Sequence, residues 1–153
     1  MRLEGKSAIV TGAGSGIGKA TACRFAAEGA TVICAELNRD SNEATVAEIR
    51  AAGGRAESVE TDVTRDEDVA NLMARSFSAV ERVDILINNA GQAVIGTVEE
   101  ISSDDWDRQL DVNLKSIYRL SKAIWPHFKA RGGGIILNTA SIAGLTGIPG
   151  EVS

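Results

Sequence analysis

The sequence predicts an α/β fold on a doubly wound parallel sheet, and three observations carry that expectation. Short apolar runs rich in Val and Ile alternate with longer segments of helical spacing along all 153 residues, the pattern of strands joined by crossover helices. The runs are largely apolar along their whole length, as strands covered on both faces are. A glycine-rich turn joins the first run to the first helical segment. Right-handed crossovers between parallel strands then place helices on both sides of the sheet.

Strands are expected at 7–10, 31–35, 55–60, 85–88 and 134–138, and helices at 16–28, 39–52, 66–80 and 103–131. The third helix shows Val69, Leu72, Met73, Phe77 and Val80 at helical steps. The fourth begins with Ser102 and Asp105 as a capping box, with Ile101 and Trp106 at the two staple positions. Trp106, Leu110, Asn113, Ile117, Ser121, Ile124 and Phe128 are expected along its core-facing stripe. Leu114, Tyr118 and Trp125 form a second apolar side, suited to packing or an interface. Pro126 should bend or end the helix, and the glycines at 132–134 stop it.

Composition excludes several classes. Sixteen basic against 21 acidic residues give a net charge of −5, which argues against a nucleic-acid partner. No apolar run approaches the roughly 18 residues needed to span a bilayer. No long apolar core follows the N-terminal charges, so a signal peptide is not expected. A soluble cytoplasmic protein is. Cys23 and Cys34 are expected as buried free thiols, because their spacing and the single His127 argue against a metal pair. His127, beside Pro126, is expected to be structural or solvated.

The chemistry starts at Thr11–Gly12–Ala13–Gly14–Ser15–Gly16–Ile17–Gly18. Glycines let such a turn adopt positive φ and bring backbone close to a pyrophosphate, and the following helix supplies unpaired N–H groups. The spacing is T-G-x-x-x-G-x-G, not G-x-G-x-x-G, and no Gly-Lys-Ser/Thr follows. A turn that merely packs helix on strand is the blander alternative. Glu36 ends the second strand eighteen residues beyond Gly18, where a carboxylate can accept hydrogen bonds from ribose hydroxyls and repel a 2′-phosphate. Arg39 is the counter-argument, since its side chain could reach a phosphate, and a solvated pair of loop charges at Glu36 and Arg39, worth under about 1 kcal/mol, is the alternative to both.

With these motifs the sequence resembles the short-chain dehydrogenase/reductase family. Asn88–Asn89–Ala90–Gly91 looks like its N-N-A-G segment, Asp62–Val63 its acidic-plus-apolar pair, Asn113 its helix asparagine, and Ser141 its catalytic serine. The motifs recur in order over essentially the whole chain. The resemblance implies a Rossmann-like fold of which five strands are present and later strands are missing. It implies pyrophosphate contacts at Gly12, Ser15, Gly16, Ile17 and Gly18, adenine contacts at Asp62 and Val63, and ribose contacts at Asn89, Ala90 and Gly91; for Asn88 and Asn89 the alternative is that they only satisfy backbone groups at a strand end. It also places Ser15 where NADP-using relatives carry a basic residue, which with Glu36 favours NAD over NADP.

Interconversion of an alcohol and a ketone with a nicotinamide needs a proton donor and acceptor at the substrate oxygen. The resemblance implies an Asn–Ser–Tyr–Lys relay, with Asn113 and Ser141 in the first two roles. A structural asparagine at 113 and an ordinary loop or cap serine at 141 are the alternatives. Y-x-x-x-K is expected about thirteen residues after Ser141, one position past Ser153. Tyr118–Arg119–Leu120–Ser121–Lys122 matches that pattern, but it precedes the serine and lies off the Asn113 stripe. The expectation is therefore an NAD(P)-binding domain over 1–153, the N-terminal part of a longer oxidoreductase that ends here inside a loop at 149–153. It would lack the proton-transfer residues, a loss that typically costs about 10²–10⁴-fold in rate. A non-catalytic dinucleotide-binding module and a chain that does not fold stably are the alternatives. The substrate is a small molecule walled by 92–97 and 142–149. Homo-oligomers are expected of the longer form and are doubtful for this chain.

Overall fold

The computed structural model describes residues 1–146. The expected chain end at 149–153, and the last part of the expected wall at 142–149, lie outside the described residues. In chain order the elements are β1 (Ser7–Thr11), α1 (Gly16–Ala27), β2 (Thr31–Glu36), α2 (Arg39–Ala51), β3 (Arg55–Glu60), α3 (Asp66–Ala79), β4 (Ile85–Asn88), α4 (Ser103–Leu110), a π-helical turn (Asp111–Lys115), α5 (Ser116–Ala130), β5 (Ile135–Asn138) and a 3-10 turn (Ile142–Gly144). The five strands form one parallel sheet in the order β3-β2-β1-β4-β5. Chain direction across the sheet reverses between β1 and β4, which makes the fold Rossmann-like and doubly wound.

The two-sided apolar pattern of the strands has two cores behind it. Ile9, Ile33 and Leu86 point to the layer of α3 and α5, where they meet Leu72, Leu120 and Ile124. Ala8, Val10, Val32 and Ile87 point to the other layer, where Ala22 and Ala26 of α1 and Ile49 of α2 cover them. Small alanines let α1 lie close on the sheet, so the cofactor turn at its start is held by a short, well-packed connection.

Helix α4 starts as expected on Ser102, whose Oγ accepts the Asp105 N–H at 3.1 Å. The same hydroxyl donates to the Asp105 carboxylate at 2.7 Å. The expected stripe is shifted. Gln109, Val112, Ser116, Leu120, Ile124 and Phe128 are the buried positions, while Trp106, Leu110 and Asn113 are exposed. The cause is the π turn, which puts an extra residue into one turn of the helix. It rotates the first half relative to a stripe projected back from Ile124. Pro126 does not end the helix, which runs to Ala130. Both Pro126 and Lys122 are exposed, so the carbonyl that Pro126 leaves without a donor opens to solvent. Gly132 at φ 78° and Gly133 at φ 145° then turn the chain toward β5.

Of the two cysteines, only Cys34 is buried. Burial pushes its thiol up to about 12. Cys23 is half-buried, and its sulfur lies 3.8 Å from a Glu48 oxygen. His127 is structural: its Nε2 accepts the Val83 N–H at 3.2 Å and its ring stacks 4.5 Å from Phe77. Asp84, which no motif marks, ties three strands together. Its carboxylate accepts the Ser7 N–H at 3.0 Å and pairs with Arg82 and Lys6, and its carbonyl accepts the Ile135 N–H at 2.9 Å. Burial alone would raise its pKa, but the Ser7 N–H and the two cations outweigh burial and hold the carboxyl below its ordinary range. Strand β5 is an edge of the sheet, with Ile135 and Leu137 exposed. Leu114, Tyr118 and Trp125 are also exposed, forming the expected second apolar side.

Candidate functional site

The site lies at the carboxyl ends of β1, β2 and β4, beside the reversal in strand order, where open parallel sheets hold ligands. Thr11 is its hub. This residue is fully buried. Its hydroxyl donates to the Ile87 carbonyl at 3.2 Å and accepts the N–H groups of Asn89 and Ala90 at 2.9 and 3.0 Å. Asn89 completes the joint, its Nδ2 donating to the Thr11 carbonyl at 3.1 Å. The end of β1 is thereby locked to the segment after β4.

The glycine turn is shaped by close approach. Gly12 sits at φ 66°, and a β-carbon there would lie 2.9 Å from Asn89 Nδ2 and 3.0 Å from Ala90 Cα. A β-carbon at Gly18 would run into the Gly12 carbonyl, and one at Gly14 would lie 2.8 Å from Glu36 Cγ. Gly16, at φ 51°, has open space in front of it. Ser15 caps α1 without a side-chain cap hydrogen bond. Ser15, Gly16 and Ile17 are exposed, and the first-turn N–H groups of α1 have no acceptor within the helix.

Glu36 holds the turn in place. One oxygen accepts the Gly14 N–H and the other the Asn38 N–H, each at 3.1 Å. Arg39, the possible phosphate reader, is engaged by Glu43 at 2.8 Å instead. Asp62 builds its own turn: Oδ1 accepts the Thr64 N–H at 2.9 Å and its hydroxyl at 2.6 Å, while the Asp62 N–H donates to Asp68 at 2.9 Å. Gly12, Glu36, Asp62, Val63, Ala90 and Gly91 together border a cleft of about 140 Å³. Six residues expected at the site from distant stretches of sequence thus meet on one wall-lined space.

Asn113 and Ser141 are not part of that cleft. Asn113 is exposed rather than core-facing, and both ends of its amide are taken by one residue. Its Oδ1 accepts the Gln92 N–H at 2.9 Å and its Nδ2 donates to the Gln92 carbonyl at 2.8 Å. It therefore clamps the strand end that carries Gly91. Ser141 follows β5, is exposed, and accepts the Ala143 N–H at 3.1 Å as the cap of the 3-10 turn. Asn88 pairs with Asn138 at 2.8 Å across β4 and β5, and its own Oδ1 is buried without a partner among the described residues.

Two participants, Thr11 and Arg108, escaped sequence reasoning, and Gln92 was expected only as part of the substrate wall at 92–97. Thr11 stood inside the motif, and its position just before the first glycine was the available signal. Arg108 carried none, because it meets Gln92 only through the fold, with the Arg108 Nε 3.4 Å from Gln92 Oε1. Among the described residues, no group of His, Cys, Asp and Glu is arranged to hold a metal ion, and no helix is long and apolar enough to cross a membrane.

Residues 6–153 match a family model described as short chain dehydrogenase. The chain is 40% identical over 149 residues to an uncharacterized oxidoreductase of Thermotoga maritima, which covers 97% of this chain and 59% of that protein. It superimposes with a TM-score of 0.94 on an NAD⁺-bound xylitol dehydrogenase, at 36% identity, over 99% of this chain and 58% of that one. A 7α-hydroxysteroid dehydrogenase complexed with NADH and 7-oxo glycochenodeoxycholic acid gives a TM-score of 0.93 at 36% identity, over 97% and 58%. The chain spans about three fifths of the length of the curated relatives it matches.

Proposed function

The chain belongs to the short-chain dehydrogenase family, and from that premise we propose that it is the cofactor-binding part of an NAD-dependent oxidoreductase that interconverts an alcohol and a ketone. The observation that carries this is the cradle at the end of β1. Glycines 12, 14 and 18 stand where a β-carbon would collide with Asn89 and Ala90, with Ser41 and Glu36, and with the Gly12 carbonyl, and Glu36 pins the turn through Gly14.

The residues present fit the cofactor. The first-turn N–H groups behind Ser15, Gly16 and Ile17 suit a pyrophosphate. Glu36 suits the two hydroxyls of the adenosine ribose, and Asp62 and Val63 suit its adenine. Asn89, Ala90 and Gly91 border the second ribose. Bound NAD supplies the hydride acceptor or donor. Ser141 offers a hydroxyl to the substrate oxygen from the carboxyl end of β5, and Asn113 holds the segment after Gly91 in place through Gln92.

Residues 1–153 are on this reading the N-terminal part of a longer domain, with the tyrosine and lysine of the relay in the remainder. The span of three fifths of its relatives supports that, as do the exposed apolar residues of β5. A cytoplasmic setting accords with two free thiols, and the exposed side at Leu114, Tyr118 and Trp125 suits association of the longer form with copies of itself.

Calorimetric titration tests the proposal directly. NAD should bind more tightly than NADP, because a 2′-phosphate would meet the Glu36 carboxylate, and Glu36→Ala should narrow the difference. Tighter binding of NADP by the unaltered chain would overturn the cofactor assignment. Absence of binding to either would overturn the site.

A further inference from the structure

Arg108 lies in α4 one turn before Val112, so the two share a face of the helix, and both border the cleft that also holds Glu36 and Val63. Asp104 and Asp111 stand at the spacings that pair with an arginine along a helix. Asp111 is held instead by Arg119 at 2.9 Å and Lys115 at 3.4 Å, and among the described residues Arg108 makes no ion pair. Its Nε reaches the Gln92 side chain at 3.4 Å. Gln92 is fixed in turn by the two backbone bonds to Asn113. A cation with carboxylates within reach along its own helix thus sits at the mouth of the cleft.

The chemistry of the cleft says what that cation meets. Ala35, Val63 and Val112 are buried and apolar, while Glu36 and Asp62 stand on the border. Such a slot repels a phosphate and accepts a flat, uncharged heteroaromatic ring. A guanidinium is planar and weakly hydrated, and it adds plane-to-plane stacking on aromatic faces to the cation–π attraction that an ammonium also has. We infer that Arg108 covers the open face of the cofactor's adenine, held at the mouth of the slot by the Asn113–Gln92 chain. This rests on the reading that the cleft takes the adenosine half of NAD.

The test is a calorimetric comparison of the 153-residue chain with Arg108→Ala and Arg108→Lys, using adenosine, AMP and nicotinamide mononucleotide as probes. Arg108 is exposed, so both variants should unfold thermally like the unaltered chain. Arg108→Ala should weaken adenosine and AMP together, by about threefold to tenfold, and leave nicotinamide mononucleotide unchanged. Arg108→Lys keeps the charge and loses the plane, so it should restore the affinity only in part. Loss of AMP affinity with adenosine unchanged would make Arg108 a phosphate contact and overturn the inference. Full restoration by lysine, equal loss for all three probes, or no loss for any would overturn it too, with the cleft assignment intact. If the unaltered chain binds neither adenosine nor AMP, the cleft assignment itself fails and the inference fails with it.

Discussion

Thr11→Val removes one oxygen from the carboxyl end of the central strand and nearly preserves the shape of the side chain. The oxygen it removes donates to Ile87 and accepts two N–H groups at 2.9 and 3.0 Å, in a residue with no exposed surface. Volume is conserved, so the cavity contribution is small. Loss of the acceptor orphans two donors, and an unsatisfied buried donor costs about 1–3 kcal/mol. Asn89 and Ala90 are half-buried and water reaches part of that edge, so the lower half of each range applies and the sum is about 2–4 kcal/mol. Thr11→Ser keeps the oxygen, loses a methyl group and should cost about 1 kcal/mol. Urea unfolding followed by circular dichroism reads both. With a slope of about 1–3 kcal/mol per molar urea, the valine midpoint should fall by about 1–2 M at unchanged slope. NAD affinity should fall with it, because 89–91 lose their anchor. A valine variant within about 0.5 kcal/mol of the unaltered chain, or a serine variant as damaged as the valine one, would refute the hub.

Asp84 and the cysteines give further outcomes. The folded pKa of Asp84 lies below its unfolded value, so its contribution is present above about pH 4 and is lost as pH falls through the folded value. Asp84→Asn should cost about 1–2 kcal/mol near neutrality, and the gap to the unaltered chain should close in acid; a gap constant down to pH 2 would sink this assignment. Cys34 has a folded pKa raised to about 12, so stability should be lost as pH rises from about 8.5 toward that value. In the native chain a thiol reagent should label Cys23 and leave Cys34 untouched, and labelling of both at equal rates would contradict the burial of β2. Cys34→Ala should remove the alkaline slope that Cys34 contributes, and an unchanged slope would assign it elsewhere.

Sheet and glycine turn were legible because each rests on local spacing. Strand boundaries came within a residue, since β1 and β2 merely run one residue further, to Thr11 and Glu36. Glu36 was found by counting from Gly18. The first half of the helix stripe was not legible, because the π turn leaves no mark in apolar periodicity: Trp106 and Leu110 are as apolar as the residues that are buried, whereas Ile124 and Phe128 beyond the turn are buried as expected. Asn113 was singled out for its residue type but placed on the wrong side, and its partner Gln92 lies 21 residues away. Cys23 was expected inside because it falls within a predicted helix and free thiols are commonly buried, but the sheet beneath α1 is covered by Ala22 and Ala26. Asp84 acts through bonds to Ser7 and Ile135 that only the assembled sheet creates, and Arg108 meets Gln92 across 16 residues of chain.

The strand order also has a consequence in time. β1 pairs with β2 across a sequence separation of 24 residues, as in Ala8 with Val32, but with β4 across 77, as in Ala8 with Ile85. Closing the longer loop costs more chain entropy and comes with fewer local contacts to offset it. The half made of β1, β2 and β3 can therefore assemble while β4 is still searching, and on a ribosome it emerges first. It already contains Gly12 to Gly18 and Glu36, the elements that would grip one end of a dinucleotide. The Thr11 hydroxyl meets Asn89 and Ala90 only when β4 docks. Arrival of the last central strand and completion of the ligand cradle are the same folding event, so a ligand that bridges both halves would be bound by the finished sheet and by no earlier intermediate.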